Sequence, residues 1–289
     1  MYVCPRTGGP LKDWRSVAGH VTYPLLDGVP VLLSDPMALL ASQPPRSTAA
    51  AEPGRCGLPD PITPHLPPAL FGAPAGFGQW LTSLGDVGPD SLALGFASRY
   101  APAGPALDVG CGVGTMARRM VTAGRPTWAF DRSPDAVLLA RGLLCGALQQ
   151  TVIPTSRRGL RRVKVPFKPI TANLEFCIAD AARPPFPPDS FAWVHLGDVL
   201  DELGDDVAEV LVACEGLLKR GGVLTVTTAY SAEATPSETA QAPEEELLEA
   251  LEGLGLQVID QQDRVPQVVR EYDRGYRIRF VHVVAARKK

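Results

Sequence analysis

The stretch Ala106-Leu-Asp-Val-Gly-Cys-Gly-Val-Gly-Thr115 decides the fold. The apolar run from Ala106 to Val109 reads as a buried strand. Gly110, Gly112 and Gly114 then form a turn that no side chain crowds. A helical pattern over 115–123 follows at once. Strand, glycine turn and helix let backbone N–H groups approach a ligand closely at a helix N-terminus. Such a glycine pattern is weak evidence alone. Here one acid, Asp108, lies inside the strand, and a second, Asp131, ends the next one.

Working outward, apolar runs suited to strands recur at 127–131, 174–179, 191–196, 223–230, 256–261 and 277–285. Helical patterns lie between them at 115–123, 134–148, 206–218 and 243–254, with two short helices expected ahead at 77–84 and 91–100. Ser133-Pro134 is a helix start, with Ser133 as N-cap and Pro134 in the first turn. Gly221-Gly222 closes a helix ahead of the fifth strand. This alternation predicts an α/β fold, a Rossmann-like, mostly parallel seven-stranded sheet covered on both faces. No helix fits between the sixth and seventh strands, so the sheet should end in an antiparallel hairpin.

The totals agree with a globular enzyme. The 289 residues are 45% hydrophobic and 20% charged, with a formal net charge of −3. No global field draws such a chain to nucleic acid. Six cysteines are scattered without a C-x-x-C pair, which favours a reducing compartment over a disulfide framework. No apolar run reaches membrane-spanning length and no basic-then-apolar leader opens the chain. The expected location is cytoplasmic. Prolines (29) and glycines (28) are abundant, and many prolines cluster between Gln43 and Pro74. Three regions result: a small β-rich unit at 1–40, a Pro/Ala-rich linker at 41–76, and the alternating body at 77–289. Cys56 and His65 fall in the linker and receive no chemistry.

Five phrases in order carry a resemblance: Leu107-Asp-Val-Gly-Cys-Gly-Val-Gly-Thr115, Ala129-Phe-Asp-Arg-Ser-Pro134, Ile178-Ala-Asp-Ala-Ala182, Pro185-Phe-Pro-Pro-Asp-Ser-Phe191 and Leu217-Leu-Lys-Arg-Gly-Gly-Val-Leu224. They resemble class I S-adenosylmethionine-dependent methyltransferases. The resemblance implies S-adenosylmethionine as cofactor, held by Asp108, Gly110, Cys111, Gly112, Gly114, Asp131, Arg132, Asp180, Ala181 and Gly197. The residues fit that ligand. It carries an amine, a carboxylate and a sulfonium but no phosphate. Asp108 suits the amine, directly or through water, and Asp131 can accept from both ribose hydroxyls. Asp180 beside small Ala181 matches the adenine position. Asp131 also reads as a surface acid at a helix start, and Cys111 as a small buried thiol.

Acceptor chemistry should lie where the fourth and fifth strands end. His195-Leu-Gly-Asp198-Val-Leu-Asp201-Glu202 resembles an Asn-Leu-Leu-Asp phrase of methyltransferases acting on imidazoles, with Asp198 replacing the Asn. Thr227-Thr-Ala-Tyr230 resembles their Ser-Pro-Tyr ending, and a tail through Val265-Pro266, Arg270, Tyr276 and His282 resembles theirs more weakly. Asp198, Asp201 and Tyr230 are therefore the expected catalytic residues. Helix capping ahead of Asp206 is the competing reading of the two acids, and a core or supporting role is expected of His195. The implied activity is N-methylation of a small molecule or peptide, an imidazole or amine among them. An RNA or protein methyltransferase is the alternative, prompted by the basic insertion 155–168 with Arg157, Arg158, Arg161, Arg162, Lys164 and Lys168. A non-catalytic S-adenosylmethionine-binding partner is the third. The expected partner is a small-molecule or peptide substrate. Nucleic acid is the weaker reading, no membrane is expected, and oligomeric state is open.

Cys4-Pro5, Gly9-Pro10-Leu11, Tyr23-Pro24 and Asp27-Gly-Val-Pro-Val-Leu-Leu33 resemble small zinc-ribbon-like proteins that accompany methyltransferases. Zinc-binding members use four ligands, mostly cysteines. Thr7 stands at the partner position of Cys4, so no metal is expected. His20 is expected to be a half-buried structural residue. The unit is too small to stand alone without metal and should dock on the body.

Overall fold

The structure is a computed structural model and describes residues 1–42, 66–71, 88–156, 159–203, 206–231, 242–272 and 275–289. Most of the Pro/Ala-rich linker, the helix expected at 77–84, Cys56, His65, Arg157 and Arg158 lie outside them.

The N-terminal unit opens with a two-stranded antiparallel pair, β1 (Arg15–Ser16) and β2 (Val21–Thr22). A tight hairpin follows, β3 (Leu25–Leu26) and β4 (Val29–Leu32). Its turn is Asp27-Gly28, with φ of +49 and +78, the geometry that suits a two-residue hairpin loop. His20 is exposed in a turn with φ +48, not half-buried on a strand. The buried Cys4 thiol meets the Tyr23 hydroxyl at 3.2 Å. Burial pushes that thiol up, but hydrogen bonds from Ser16, Thr7 and Tyr23 outweigh it and bring it down to about 7. Among the described residues no group of three or more His, Cys, Asp or Glu is placed to hold a metal. A short helix, α1 (Pro36–Ser42), ends the unit.

The body begins with α2 (Pro89–Tyr100), then β5 (Ala106–Val109), α3 (Thr115–Thr122), β6 (Thr127–Asp131) and α4 (Pro134–Leu144). Ser133 caps α4 by accepting from the Ala136 N–H at 3.3 Å. A hairpin, β7 (Gln150–Pro154) and β8 (Leu160–Lys164), precedes β9 (Leu174–Ala179). Then come β10 (Phe191–Gly197), α5 (Val207–Leu217), β11 (Leu218–Thr228), α6 (Pro243–Gly253), β12 (Leu256–Tyr272) and β13 (Gly275–Lys288).

The main sheet runs β12-β13-β11-β10-β5-β6-β9-β4-β3. The seven expected strands are all in it, and the hairpin β12–β13 forms the antiparallel end. The expected count of seven is corrected to nine. β4 pairs in parallel with β9, Val31 opposite Ile178 and Leu32 opposite Ala179, and brings β3 with it. The cause is apolar: Val29, Val31 and Leu32 are 1% exposed or less and need a covered edge. A further tie is the Val3 N–H donating to the Pro185 carbonyl at 2.9 Å.

Strand alternation divides the core. Leu107 and Val109 face the layer that holds Leu211, Cys214 and Leu251 of α5 and α6. Ala106 faces Met116 and Met120 of α3 and Phe96 of α2. Parallel strands running β6-β5-β10-β11 leave their C-terminal ends at one rim, and there the glycine turn lies. β12 runs in the same direction as β11, so the far half of the β12–β13 hairpin projects past that rim.

Candidate active site

Each glycine of the turn has its own reason to lack a side chain. All three have positive φ: Gly110 +67, Gly112 +50 and Gly114 +80. A Cβ on Gly110 would sit 2.1 Å from Val199 Cγ2, and one on Gly114 would sit 2.8 Å from Leu144 Cδ1. A Cβ on Gly112 would meet nothing within 4 Å. Gly112 is thus the point where the backbone faces open space, and where a ligand can come closest. Cys111 lies between, buried, its thiol pushed well up first by burial and then by Asp108 and Asp131. It behaves as a small core residue, not a thiolate.

Asp131 ends β6 and is locked in place. Its Oδ2 accepts from the Gly112 N–H at 2.9 Å and its Oδ1 from the Ser133 N–H at 2.8 Å. Each oxygen keeps a second lone pair, and the side chain is half-buried. Two fixed acceptors beside the open face of Gly112 suit a pair of ribose hydroxyls. Asp180 is half-buried beyond the end of β9, its Oδ1 accepting from Ala182 N–H at 3.1 Å. Ala181 is half-buried and Arg132 is exposed beside Asp131.

Asp108 is set deeper than the sequence suggested. It is 2% exposed, and Oδ2 accepts from the Ala117 N–H of α3 at 2.8 Å. Burial, then the nearby Asp90, pushes its carboxyl well above the usual range. In this structure Asp108 ties the first turn of α3 to β5. In sheet register it stands beside His195, which stands beside Thr225. The Thr225 hydroxyl accepts from Trp193 Nε1 at 2.8 Å and lies 2.9 Å from His195 Nδ1. Burial lowers the His195 pKa to about 3, so the ring is neutral. Gly197 lies directly over it: a Cβ there would come 2.6 Å from His195 Nε2.

At the ends of β10 and β11 two non-glycine residues adopt left-handed backbone, Asp198 (φ +58) and Tyr230 (φ +54). Conformations of this kind cost about 1–3 kcal/mol and gather at functional sites. Asp198 Oδ2 accepts from Gln267 Nε2 at 2.7 Å and pairs with Arg279 Nη2 at 2.8 Å. The Arg279 guanidinium also lies 3.8 Å from Asp201 and donates from Nε to the Gln267 side chain. Asp198 Oδ1 is buried and has no hydrogen-bond partner among the described residues. Asp201 is spent on the turn after β11. It accepts from the Thr228 hydroxyl at 2.7 Å, Ala229 N–H at 3.1 Å, and the Ser231 N–H and hydroxyl at 3.3 and 3.1 Å. Among the described residues the N-cap of α5, Asp206, makes no side-chain cap, and neither Asp198 nor Asp201 supplies one in its place. Tyr230 Oη lies 2.7 Å from His282 Nδ1.

The sequence residues thus fall into two groups on one rim, Asp131 with Gly112 and Asp198 with Asp201 and Tyr230. Burial, then Asp131, Asp198 and Asp201, raise the pKa of Glu202 on the short turn after β10, whose charge links the groups. Arg279, Gln267 and Val199 were missed. The first two come from the overhang of β12–β13, whose reach no local pattern announces. Val199 could have been suspected only from knowing what Gly110 faces. The rim is acidic, which suits a cofactor that carries a sulfonium and an amine.

Residues 107–226 match the family described as a methyltransferase domain. No curated protein matches the chain. Among solved structures, the [4+2]-cyclase SpnF is 21% identical with a TM-score of 0.46, over 69% of this chain and 81% of that one. The magnesium protoporphyrin IX methyltransferase of Synechocystis PCC 6803 is 18% identical with a TM-score of 0.45, over 73% and 80%. A SAM-dependent methyltransferase of Methanosarcina mazei is 17% identical with a TM-score of 0.48, over 67% and 96%. With the matched segment running from β5 to β11 through the open glycine turn and Asp131, the chain carries a methyltransferase domain and is an S-adenosylmethionine-dependent methyltransferase.

Proposed function

We propose that the enzyme methylates a nitrogen of a small molecule or peptide bearing an imidazole or an amine. One observation carries this reading: among the described residues nothing partners the buried Asp198 Oδ1 at the end of β10, while Oδ2 is fixed by Gln267 and Arg279. A buried acceptor without a donor is costly, by about 1–3 kcal/mol. An acceptor N–H would satisfy it and be oriented by it. The cofactor supplies an electrophilic methyl on a sulfonium. The protein's part is then to hold the acceptor nitrogen in line and receive its proton. Positioning of that kind contributes on the order of 7–11 kcal/mol. Asp131 and the Gly112 backbone hold the cofactor end, and Asp198 holds the acceptor. Asp201 keeps the β11 end in shape. Asp180, Ala181, Arg132 and Gly197 complete the cofactor side, with Asp108 supporting the turn from below.

The test is transfer of tritiated methyl to histamine, a histidine-containing dipeptide, a primary amine, bulk RNA and bulk protein. Label is expected in an N–H-bearing small molecule or peptide, and Asp198→Ala should lower the rate at least a hundredfold. Unchanged turnover in Asp198→Ala would overturn the assignment.

A second reading has its own observation. β8 and the residues after it carry Arg161, Arg162, Lys164 and Lys168, with no acid between Asp135 and Glu175. An RNA or protein acceptor would use that hairpin. Label in RNA, with transfer falling steeply with salt, would favour it.

A further inference from the structure

Tyr230 does not end in solvent. Its hydroxyl lies 2.7 Å from Nδ1 of His282, which is 2% exposed, and His282 Nε2 lies 2.9 Å from Gln261 Oε1. The order of donors follows from the last link. A side-chain carbonyl oxygen only accepts, so Nε2 carries the ring proton and Nδ1 offers a lone pair. Tyr230 therefore donates to Nδ1 and keeps a lone pair of its own. The backbone is arranged around this chain. Tyr230 is held in left-handed conformation just past β11, and His282 pairs with Thr228 of the same strand. The β12–β13 register slips between Gln262 and Val265, opposite His282, and Arg264 there has φ +56. Bulges of this kind re-aim side chains beside active sites.

We infer that Tyr230, His282 and Gln261 form a proton relay, in which His282 acts through Tyr230 to take the proton that the acceptor nitrogen loses on methylation. The inference rests on the N-methylation reading above. An acceptor N–H bond other than the one held by Asp198 breaks as its proton passes to Tyr230 Oη. The Tyr230 O–H bond breaks as its own proton passes to His282 Nδ1. One proton leaves the acceptor, one arrives on the imidazole, and Tyr230 is unchanged. The resulting imidazolium donates from Nε2 to Gln261, which leads toward solvent. His282 is a positioning residue in this scheme, since of the three relay members only Tyr230 touches the acceptor.

The charge surroundings fit the direction of transfer. Burial lowers the pKa of His282, so the ring is neutral and ready to accept near neutral pH, while Asp263 and Glu244 favour the imidazolium once formed. Burial, then Glu244, Asp263 and Asp201, raises the pKa of Tyr230, so the phenol stays protonated and passes a proton on instead of holding a phenolate. The groups facing His282 are Tyr230 and Thr228 from the β11 side, Gln261 and Asp263 from β12, and Glu244 from α6. The relay should fail as pH falls through the His282 pKa, because a protonated ring cannot accept.

The wiring can be read without turnover. The full chain, labelled with ¹⁵N-histidine, has four histidines, and His282→Asn identifies the fourth signal. Spectra across pH should show a neutral His282 protonated at Nε2. Tyr230→Phe should move the Nδ1 resonance and leave the other histidines in place. Gln261→Glu, at an exposed site, should raise the His282 pKa. A proton on Nδ1, or no response to Tyr230→Phe, overturns the relay whatever the acceptor. A second arm follows methyl transfer to histamine against pH. The acid limb of kcat should track the His282 pKa and move up with it in Gln261→Glu. A limb that stays put overturns the relay and spares the acceptor reading. No transfer to any panel member overturns the acceptor reading, while the spectra alone then decide the wiring.

Discussion

Gly112 and Gly114 differ by two positions and by everything that surrounds them. An alanine at 112 would project into open space, whereas one at 114 would press on Leu144 and Ala140. Both sites have positive φ, which costs a non-glycine residue about 1–2 kcal/mol. Gly114→Ala should add an overpacking cost of about 1–3 kcal/mol and appear as a lower denaturation midpoint. Gly112→Ala should fold with the backbone cost alone and weaken S-adenosylmethionine at least tenfold by calorimetry. Equal affinity for the cofactor in Gly112→Ala and the parent would show that the open face is not the ligand face. Asp131→Ala removes two fixed acceptors and should abolish the binding heat; retained affinity would refute the ribose assignment. The sequence made Gly112 and Asp131 legible because their spacing is local, one turn and one crossover. It could not separate Gly112 from Gly110 and Gly114, since Val199 and Leu144 arrive from elsewhere in the chain.

The hairpin β12–β13 is the element whose length matters most. Strands of about half a dozen and nine residues were expected, and the structure extends them to 17 and 14. The polar run Asp260-Gln-Gln-Asp-Arg264 hides the continuation, because a strand past the rim has no buried face to impose alternation. The overhang nonetheless carries Arg279 and Gln267 onto Asp198. Arg279→Ala should cost about 1.5–3 kcal/mol, the usual worth of hydrogen bonds to a charged group, read from urea midpoints. Methyl transfer should fall by more than that loss of folded protein accounts for, because Asp198 then loses the partner that fixes its rotamer. Arg279→Lys should restore little, as an ammonium cannot span Asp198, Asp201 and Gln267 with a planar fork. Full activity in Arg279→Lys would mean that charge alone suffices. At the other edge, β4 looked like part of a separate ribbon because its pattern is short and its turn is self-contained. Its partner β9 lies about half a chain length away, and no periodicity reports such pairing.

Across the whole molecule the polar row at the middle of the sheet sets how stability answers to pH. His195 has an ordinary value of 6.5 and is lowered to about 3 by burial. Below pH 6.5 the unfolded chain takes up a proton that the fold excludes. The contribution of His195 is therefore whole above that pH and is lost as pH falls toward 3, by about 1.4 kcal/mol per pH unit. Asp108 acts with the opposite sign. Burial raises its carboxyl, so its contribution is greatest at low pH and is lost as pH rises. The two oppose each other in the parent protein, and a variant separates them. Urea midpoints of the parent and His195→Asn, taken from pH 7 down to 5, should converge in the variant's favour by about that slope. A constant gap would mean that His195 is charged, or solvated, in the fold.

The parallel pairing of Val31 with Ile178 also fixes an order of events. β4 precedes the body in the chain, and it is flanked by β3 and by β9, which is made after β5 and β6. Until Leu174–Ala179 has emerged and joined β6, an apolar segment of this chain waits without its seat. β4 is thus made before its seat and docked after it, which makes it a segment on which chaperones would act.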